Sequence, residues 1–457
     1  MPRKMVMVTN LDVWLLTEKI RKAGTGNQSL YNTLLGYAGA GWEVHLLTTS
    51  RTCEGMPPVH ERVFIHRRPV RWVEAYLRAK SWARGLARLL LGPATDMTLE
   101  MQAEPGPPSK GFGRYARIFR RVMGRRAIAL ARRIGPVDLL YGYEILGALA
   151  ARRAAEALGV SLVTRFQGTE LSRFLGDRAR MLSYRMRVEA LRTPADLVIM
   201  ANDGTQGDKV LDALGVPRER VRFWMNGVVK DDVYRPGVDA GGVRRGLGIG
   251  EGEVFILHTG RMFHWKRIDR HLEVLARAAQ EFPRFKAVFI GDGPELPACK
   301  ALAGRLGLEG RVLFLGALPH GEVMNYLNAC DIYVSFYDLS NLSNSLIESC
   351  VCGKCVVTTA VGGTTDLLTD GVNGVVVAAH DDVEAIARGL LRVLKDPAER
   401  LRLAEGARRR SEELKTWQER MRMEIQEVEK VLAAAALEGR SAGGFNRKER
   451  PESDISE

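Results

Sequence analysis

Three kinds of residue in this chain are spaced so that they could handle a phosphorylated substrate. The first is the stretch Phe336–Val357, FYDLSNLSNSLIESCVCGKCVV. An apolar strand over 332–336 ends there in a polar loop, 337–343, and a helix is expected to open at Ser343, Asn344 and Ser345 and to stop at Gly353. A helix start presents unpaired N–H groups and the positive end of the peptide dipole, and so suits a phosphate. Ser340, Asn341 and Leu342 lead into that start, and Glu348 follows within two turns. A carboxylate behind an anion site suits the hydroxyls of an attached ribose. The second kind is a pair of cations, Arg261 after Gly260 and Lys266 five residues on. They can neutralise a diphosphate as it departs, an effect of about several kcal/mol in a closed site. The third kind is glycine at strand ends, in Gly291-Asp292-Gly293-Pro294-Glu295 and Gly362-Gly363.

The elements that must bring these groups together follow an alternating rhythm. Strands are expected at 138–141, 162–164, 197–200 and 221–224, and again at 254–258, 287–290, 312–315, 332–336, 355–359 and 374–377. Helix-length segments separate them, which predicts parallel sheets with helices on both faces. At 457 residues two domains are expected. The first runs over 1–225, the Gly/Asp/Arg-rich 226–252 connects, and the second runs over 253–412. A last helix over 413–438 is free to cross back to the first domain, and the polar tail 439–457 is expected to be disordered. In open parallel sheets ligands sit beyond the carboxyl ends of strands. The cations, the helix start and the glycine turns all fall at such ends.

Near the N-terminus a strand over 5–9 leads to a loop containing Gly24 and Gly26. Those glycines read either as close backbone approach to a phosphate or sugar or as an ordinary flexible loop. The formal charge is +13, and 67–133 holds sixteen Lys and Arg against four acids, so one basic region carries nearly all of it. Its two amphipathic stretches, around Trp72–Leu90 and Tyr115–Ile128, suit an anionic membrane surface or a solvated arginine face over a core. Nucleic acid ranks last, because no recognition motif accompanies the charge. No apolar run reaches the length of a membrane span and no signal-peptide pattern opens the chain, which leads to the expectation of a cytoplasmic protein, peripheral at the inner membrane face if the basic region docks. Cys350, Cys352 and Cys355 lack a second ligand pair and read as core rather than metal ligands.

Together His258-Thr-Gly-Arg261 with Lys266, the Gly291–Glu295 turn, Val312–Gly316, Ala329-Cys330-Asp331, Ser345–Gly353 and Gly362-Gly363 resemble the group 1 glycosyltransferases. The resemblance implies a GT-B architecture, two Rossmann-like domains facing a cleft, and retaining transfer from a nucleotide-diphosphate sugar without a metal or other cofactor. It implies that Arg261 and Lys266 bind the diphosphate and that Glu348 holds the ribose. The absence of a D-x-D motif agrees with the metal-free reading. The acceptor is expected to be a saccharide, a lipid-linked molecule or a small molecule.

The sequence departs from the family at two places. Ser340 stands where a sugar-side glutamate is usual, eight residues before Glu348, unless Asp338 reaches in. Gln167 stands where the first domain usually has a histidine near the sugar, and it can hydrogen-bond a hydroxyl but cannot act as a base. These departures leave an alternative open, a catalytically weak relative that binds a nucleotide sugar or glycan.

Overall fold

Strands buried on both faces read as continuous apolar runs, and VFILHT at 254–259 is buried at all six positions. Such strands need a sheet covered by helices on each side. The computed structural model describes residues 2–11, 28–49, 59–68 and 110–438. Gly24, Gly26, the stretch Trp72–Leu90 and the tail 439–457 lie outside the described residues.

The first sheet contains β1 (Lys4–Thr9), β2 (Glu43–Thr48), β3 (Val63–Arg67), β4 (Leu139–Tyr143), β5 (Ser161–Phe166), β6 (Leu197–Ala201) and β7 (Val221–Trp224). Its order is β3-β2-β1-β4-β5-β6-β7, parallel throughout. The second contains β8 (Val254–Thr259), β9 (Phe285–Ile290), β10 (Val312–Gly316), β11 (Ile332–Ser335), β12 (Cys355–Thr359) and β13 (Val375–Val377). Its order is β10-β9-β8-β11-β12-β13, again parallel. Strand order reverses between β1 and β4 in one sheet and between β8 and β11 in the other. Ligand crevices form at such reversals.

Five helices bear on the site and on how the domains pack: α1 (Gln28–Gly39), α2 (Lys110–Ile134), α3 (Glu144–Leu158), α4 (Asn344–Val351) and α5 (Trp417–Leu437). In α2 the buried Ala116, Phe119, Met123, Ala127 and Leu130 recur every three or four residues and join the core of the first domain. The arginines are left to the other face. Among the described residues, no helix is long and apolar enough to cross a membrane.

The α5 helix follows the second domain in sequence but packs on the first. It starts with a capping box made by Thr416 and Glu419, which satisfies first-turn N–H groups reciprocally. Trp417 lies so close to Gly227 that a Cβ there would fall 2.4 Å from its Cα. Val228 N–H donates to the Lys415 carbonyl at 3.0 Å. The chain therefore passes between domains twice at one place, once near Asn226 and once near Trp417. The helix then reaches the first sheet through Glu424, which accepts from the hydroxyls of Tyr141 at 2.7 Å and Tyr37 at 3.3 Å. Arg165 donates to the same carboxylate at 2.7 Å with both side chains fully buried.

Candidate active site between the domains

In the second domain, the loops after β8 and β9 hold each other by backbone contacts. Gly260 N–H donates to Ile290 O and Met262 N–H to Asp292 O, each at 2.9 Å. A Cβ on Gly291 would fall 1.9 Å from the Gly260 carbonyl, and one on Gly293 would fall 2.4 Å from the Met262 carbonyl. Only glycine permits that approach. Asp292 accepts from the Gly293 N–H at 2.7 Å, so this acid stiffens the turn that supports the Arg261 loop.

Arg261 is exposed, and its guanidinium lies 5.1 Å from the centroid of the Phe263 ring. Lys266 is 8% exposed, and its ammonium sits 3.6 Å from the Tyr337 ring centroid and 4.2 Å from that of Trp265. No carboxylate pairs with it among the described residues. Burial, and then the charge of Arg261, push its pKa well below the usual lysine value, while Asp203 pulls the other way. An ammonium held on two aromatic faces beside another cation is poised for an anion. Beneath them, Tyr337 Oη and His258 Nε2 are buried with no hydrogen-bond partner among the described residues. Both lie under 4 Å from where a Cβ on Gly260 would stand.

Ser343 caps α4, its hydroxyl accepting from Leu346 N–H at 3.3 Å. The first-turn N–H groups of Asn344 and Ser345 then lie outside the intrahelical ladder by geometry. Asn341 holds the loop in shape: its carbonyl accepts from Tyr337 N–H at 3.0 Å, and its amide donates to Thr359 O at 2.8 Å. Leu342 is buried in the core. Glu348, 9% exposed, lies 3.1 Å from His320 Nε2. The strand-end reading thus meets one connected edge in space, made by the loops after β8, β9 and β11 and the start of α4.

The two departures find specific partners. Asp338 is held by Arg270 at 2.7 Å and Arg267 at 3.3 Å, so its carboxylate is engaged by the second domain itself. Ser340 reaches the first domain instead, its hydroxyl donating to the Asp203 carbonyl at 2.6 Å and accepting from Leu342 N–H at 3.0 Å. Gly363 N–H donates to Gly204 O at 2.7 Å and Asn202 to Asp366 at 2.8 Å. The loop after β6 therefore docks on the glycine turn after β12. Gln167, at the end of β5, donates to Tyr143 Oη and accepts from Asn226 Nδ2, both at 2.9 Å.

Facing this edge from the first domain are two carboxylates that the sequence reading did not single out. Glu144 opens α3 with φ +64°, a left-handed conformation costing a non-glycine residue on the order of 1–2 kcal/mol. Its carboxylate accepts from the Gln167 backbone N–H at 2.7 Å. Burial raises its pKa to about 7, opposed by that bond and assisted by Asp203. Burial also raises Asp203 to about 6, against bonds from Thr205 and the charge of Lys266. Neither residue belongs to a motif. Each is an acid just beyond a buried strand, and that position was the one available clue.

Residues 242–410 match the family described as Glycosyl transferases group 1. Over 223 residues the chain is 30% identical to the D-inositol 3-phosphate glycosyltransferase of Acidothermus cellulolyticus, a match covering 46% of this chain and 48% of that one. It is 31% identical over 148 residues to the 2-deoxystreptamine glucosyltransferase of Streptomyces kanamyceticus, covering 32% of this chain and 38% of the relative. The chain thus spans about half the length, or less, of these curated relatives. Among solved structures, sucrose-phosphate synthase from Thermosynechococcus elongatus superposes with a TM-score of 0.69 at 19% identity, covering 95% of this chain and 100% of that one. HepE of Anabaena, solved in complex with UDP-glucose, gives 0.64 at 18% identity, covering 93% and 99%. With two doubly wound parallel sheets in domains that touch through the loops after β6, β11 and β12, the chain has the GT-B fold, and its residues 242–410 match the group 1 glycosyltransferase family.

Proposed function

We propose that this protein transfers a sugar from a nucleotide-diphosphate sugar to a hydroxyl-bearing acceptor, with retention at the anomeric carbon and without a metal. The observation that carries the reading is Lys266, a buried ammonium with no carboxylate partner among the described residues, set beside Arg261. Two cations and a helix start suit a diphosphate leaving group. Glu348 takes the ribose hydroxyls. In the reaction, the bond from the anomeric carbon to the phosphate oxygen breaks. The acceptor oxygen bonds to the same face, and its proton passes to the departing phosphate oxygen, releasing nucleoside diphosphate. Gln167 binds a hydroxyl in this scheme and no side-chain base is required. The relatives' names, an inositol phosphate glycosyltransferase and a deoxystreptamine glucosyltransferase, favour a polyol or saccharide acceptor, with a lipid-linked one also within reach.

A thermal-shift panel of nucleoside diphosphates and their sugars tests the reading. A true donor at 100 times its Kd stabilises by about 2.7 kcal/mol. A panel with no shift, together with wild-type behaviour of Arg261→Ala, overturns it. Ser340 and Gln167 favour a second reading, a relative that holds the donor but turns it over poorly. Stoichiometric binding without release of nucleoside diphosphate distinguishes that case.

We also propose that the first domain rests on an anionic membrane surface through α2. Arg117, Arg121 and Arg125 are exposed at four-residue spacing, followed by Arg132 and Arg133. Like charges so spaced disfavour a helix by a few tenths of a kcal/mol per pair. None of the five has an acid partner among the described residues.

A further inference from the structure

A chain of hydrogen bonds runs from α5 to the floor of the cleft, and its direction is fixed by one residue. Arg165 is fully buried and donates through one nitrogen to Glu424 at 2.7 Å. Through the other it donates to Asn226 Oδ1 at 3.1 Å and to Ser29 Oγ at 3.0 Å. A guanidinium has donors only. Asn226 must therefore turn its oxygen to Arg165, since the reversed amide would set NH₂ against the guanidinium. Its nitrogen then faces Gln167 at 2.9 Å, so Gln167 must answer with Oε1. The Gln167 nitrogen is left beside Tyr143 Oη at 2.9 Å. One of its two hydrogens serves Tyr143 and the second is available to the cleft, where Gln167 is partly exposed.

We propose that Arg165 and Asn226 are positioning residues that fix the direction of the Gln167 amide, so that the first domain offers an N–H donor to a hydroxyl oxygen of the bound saccharide. The assignment rests on the nucleotide-sugar reading above for the ligand, but not for the relay. Asn226 stands where the chain first passes between the domains, and Glu424 lies on the helix that follows the return passage. The orientation of Gln167 is thus tied to the segments that join the domains.

Asn226→Asp reverses the relay. A carboxylate at 226 accepts from Arg165 and also faces Gln167, which must then turn its nitrogen toward residue 226 and its oxygen toward Tyr143 and the cleft. The new charge is tolerable, because Arg165 and Arg420 share a single buried carboxylate, Glu424. The test uses the full chain with ¹⁵N labelling and follows the Gln167 side-chain amide, identified by its loss in Gln167→Leu. In the wild type, Tyr143→Phe is expected to shift that resonance. In the Asn226→Asp background, where Tyr143 meets the Gln167 oxygen instead of its N–H, the same change is expected to shift it much less. A wild-type resonance indifferent to Tyr143→Phe, or the same response in both backgrounds, overturns the relay.

Titration with UDP and UDP-glucose then tests its use. Asn226→Asp is expected to bind UDP within twofold of wild type and to lose tenfold or more in UDP-glucose affinity. Unchanged affinity for both overturns the recognition role. If the wild type binds neither probe, the nucleotide-sugar reading fails while the amide experiment still decides the relay. Asn226→Ala, which only releases Gln167, guards against misfolding of the charged variant: a reduced Tyr143→Phe shift supports the relay and an undiminished one overturns it.

Discussion

The Ser340 hydroxyl donates to the backbone carbonyl of Asp203 across the domain boundary at 2.6 Å, and the same oxygen packs 2.1 Å from where a Cβ on Gly204 would lie. The residue at the family's sugar-side glutamate position is thus a contact between domains. A longer acid has no room there and would approach Asp203. Ser340→Ala is expected to cost about 1 kcal/mol, and Ser340→Glu about 1–3 kcal/mol by overpacking. Thermal unfolding checks this, and a Ser340→Glu variant that melts with the wild type shows that the contact is not made in solution.

Lys266 should trade stability against binding. Its ammonium is buried without a carboxylate partner among the described residues, which costs free energy, and a bound diphosphate would repay it. Lys266→Met is expected to melt at or above the wild-type temperature and to lose roughly 10- to 150-fold in nucleoside diphosphate affinity, the equivalent of about 1.5–3 kcal/mol for a charged hydrogen bond. Burial and Arg261 depress its pKa in the free protein, and a bound anion, which favours the charged form, would oppose that depression. Equal affinity in the variant removes Lys266 from the site.

Arg261, Lys266 and the start at Ser343 were legible because each follows an apolar strand, and parallel topology sends all such ends to one edge. The fold was legible for the same reason. Glu144 and Asp203 were not, since nothing in LLYGYE or LVIMAND marks an acid that will face another domain. Nor could sequence tell that Asp338 would be taken by Arg267 and Arg270, or that Ser340 would bond to the Asp203 backbone. Those partners are 68 to 137 residues apart and meet only through tertiary packing. Gly24 and Gly26 fall outside the described residues and keep both of their readings.

Glu144 makes stability depend on pH with a definite sign. Its folded pKa, about 7, lies above its ordinary value, so the folded state holds the proton more tightly. That contribution is fully present below about pH 4 and is lost as pH rises through about 7. Asp203, raised to about 6, acts in the same direction, while His66, lowered to about 4, opposes them. Glu144→Gln keeps an acceptor for Gln167 N–H and removes the titration. The melting temperature of Glu144→Gln minus that of the wild type is therefore expected to climb between pH 5 and 8. A flat difference would mean that Glu144 titrates normally.

Glu424 holds α5 to the first domain as the shared anion of two buried arginines. Arg165 lies 2.7 Å and Arg420 3.3 Å from it. Removing one partner of a buried pair costs about 3–5 kcal/mol because the remaining charge has nowhere to go. Glu424→Ala should lower the melting temperature sharply and open the 412–417 segment to limited proteolysis. Arg420→Met removes the surplus cation and should be far milder. Equal losses in the two variants would show that the cluster is held by packing and not by charge.

The α2 arginines predict a salt-dependent surface interaction. Juxtamembrane basic residues contribute about 1 kcal/mol each near an anionic leaflet, and the attraction fades within a Debye length, about 8 Å at physiological salt. The protein should sediment with vesicles containing phosphatidylserine, stay in solution with neutral phosphatidylcholine vesicles, and be released as salt rises. Replacing Arg121 and Arg125 with glutamate reverses charge on the exposed stripe without touching Phe119, Met123 or Ala127 on the buried one. The double variant should bind at least tenfold more weakly and melt with the wild type. Retention on a nucleic-acid column with no vesicle binding would assign the stripe to a different polyanion, and equal recovery in solution with both vesicle types would leave it a solvated face.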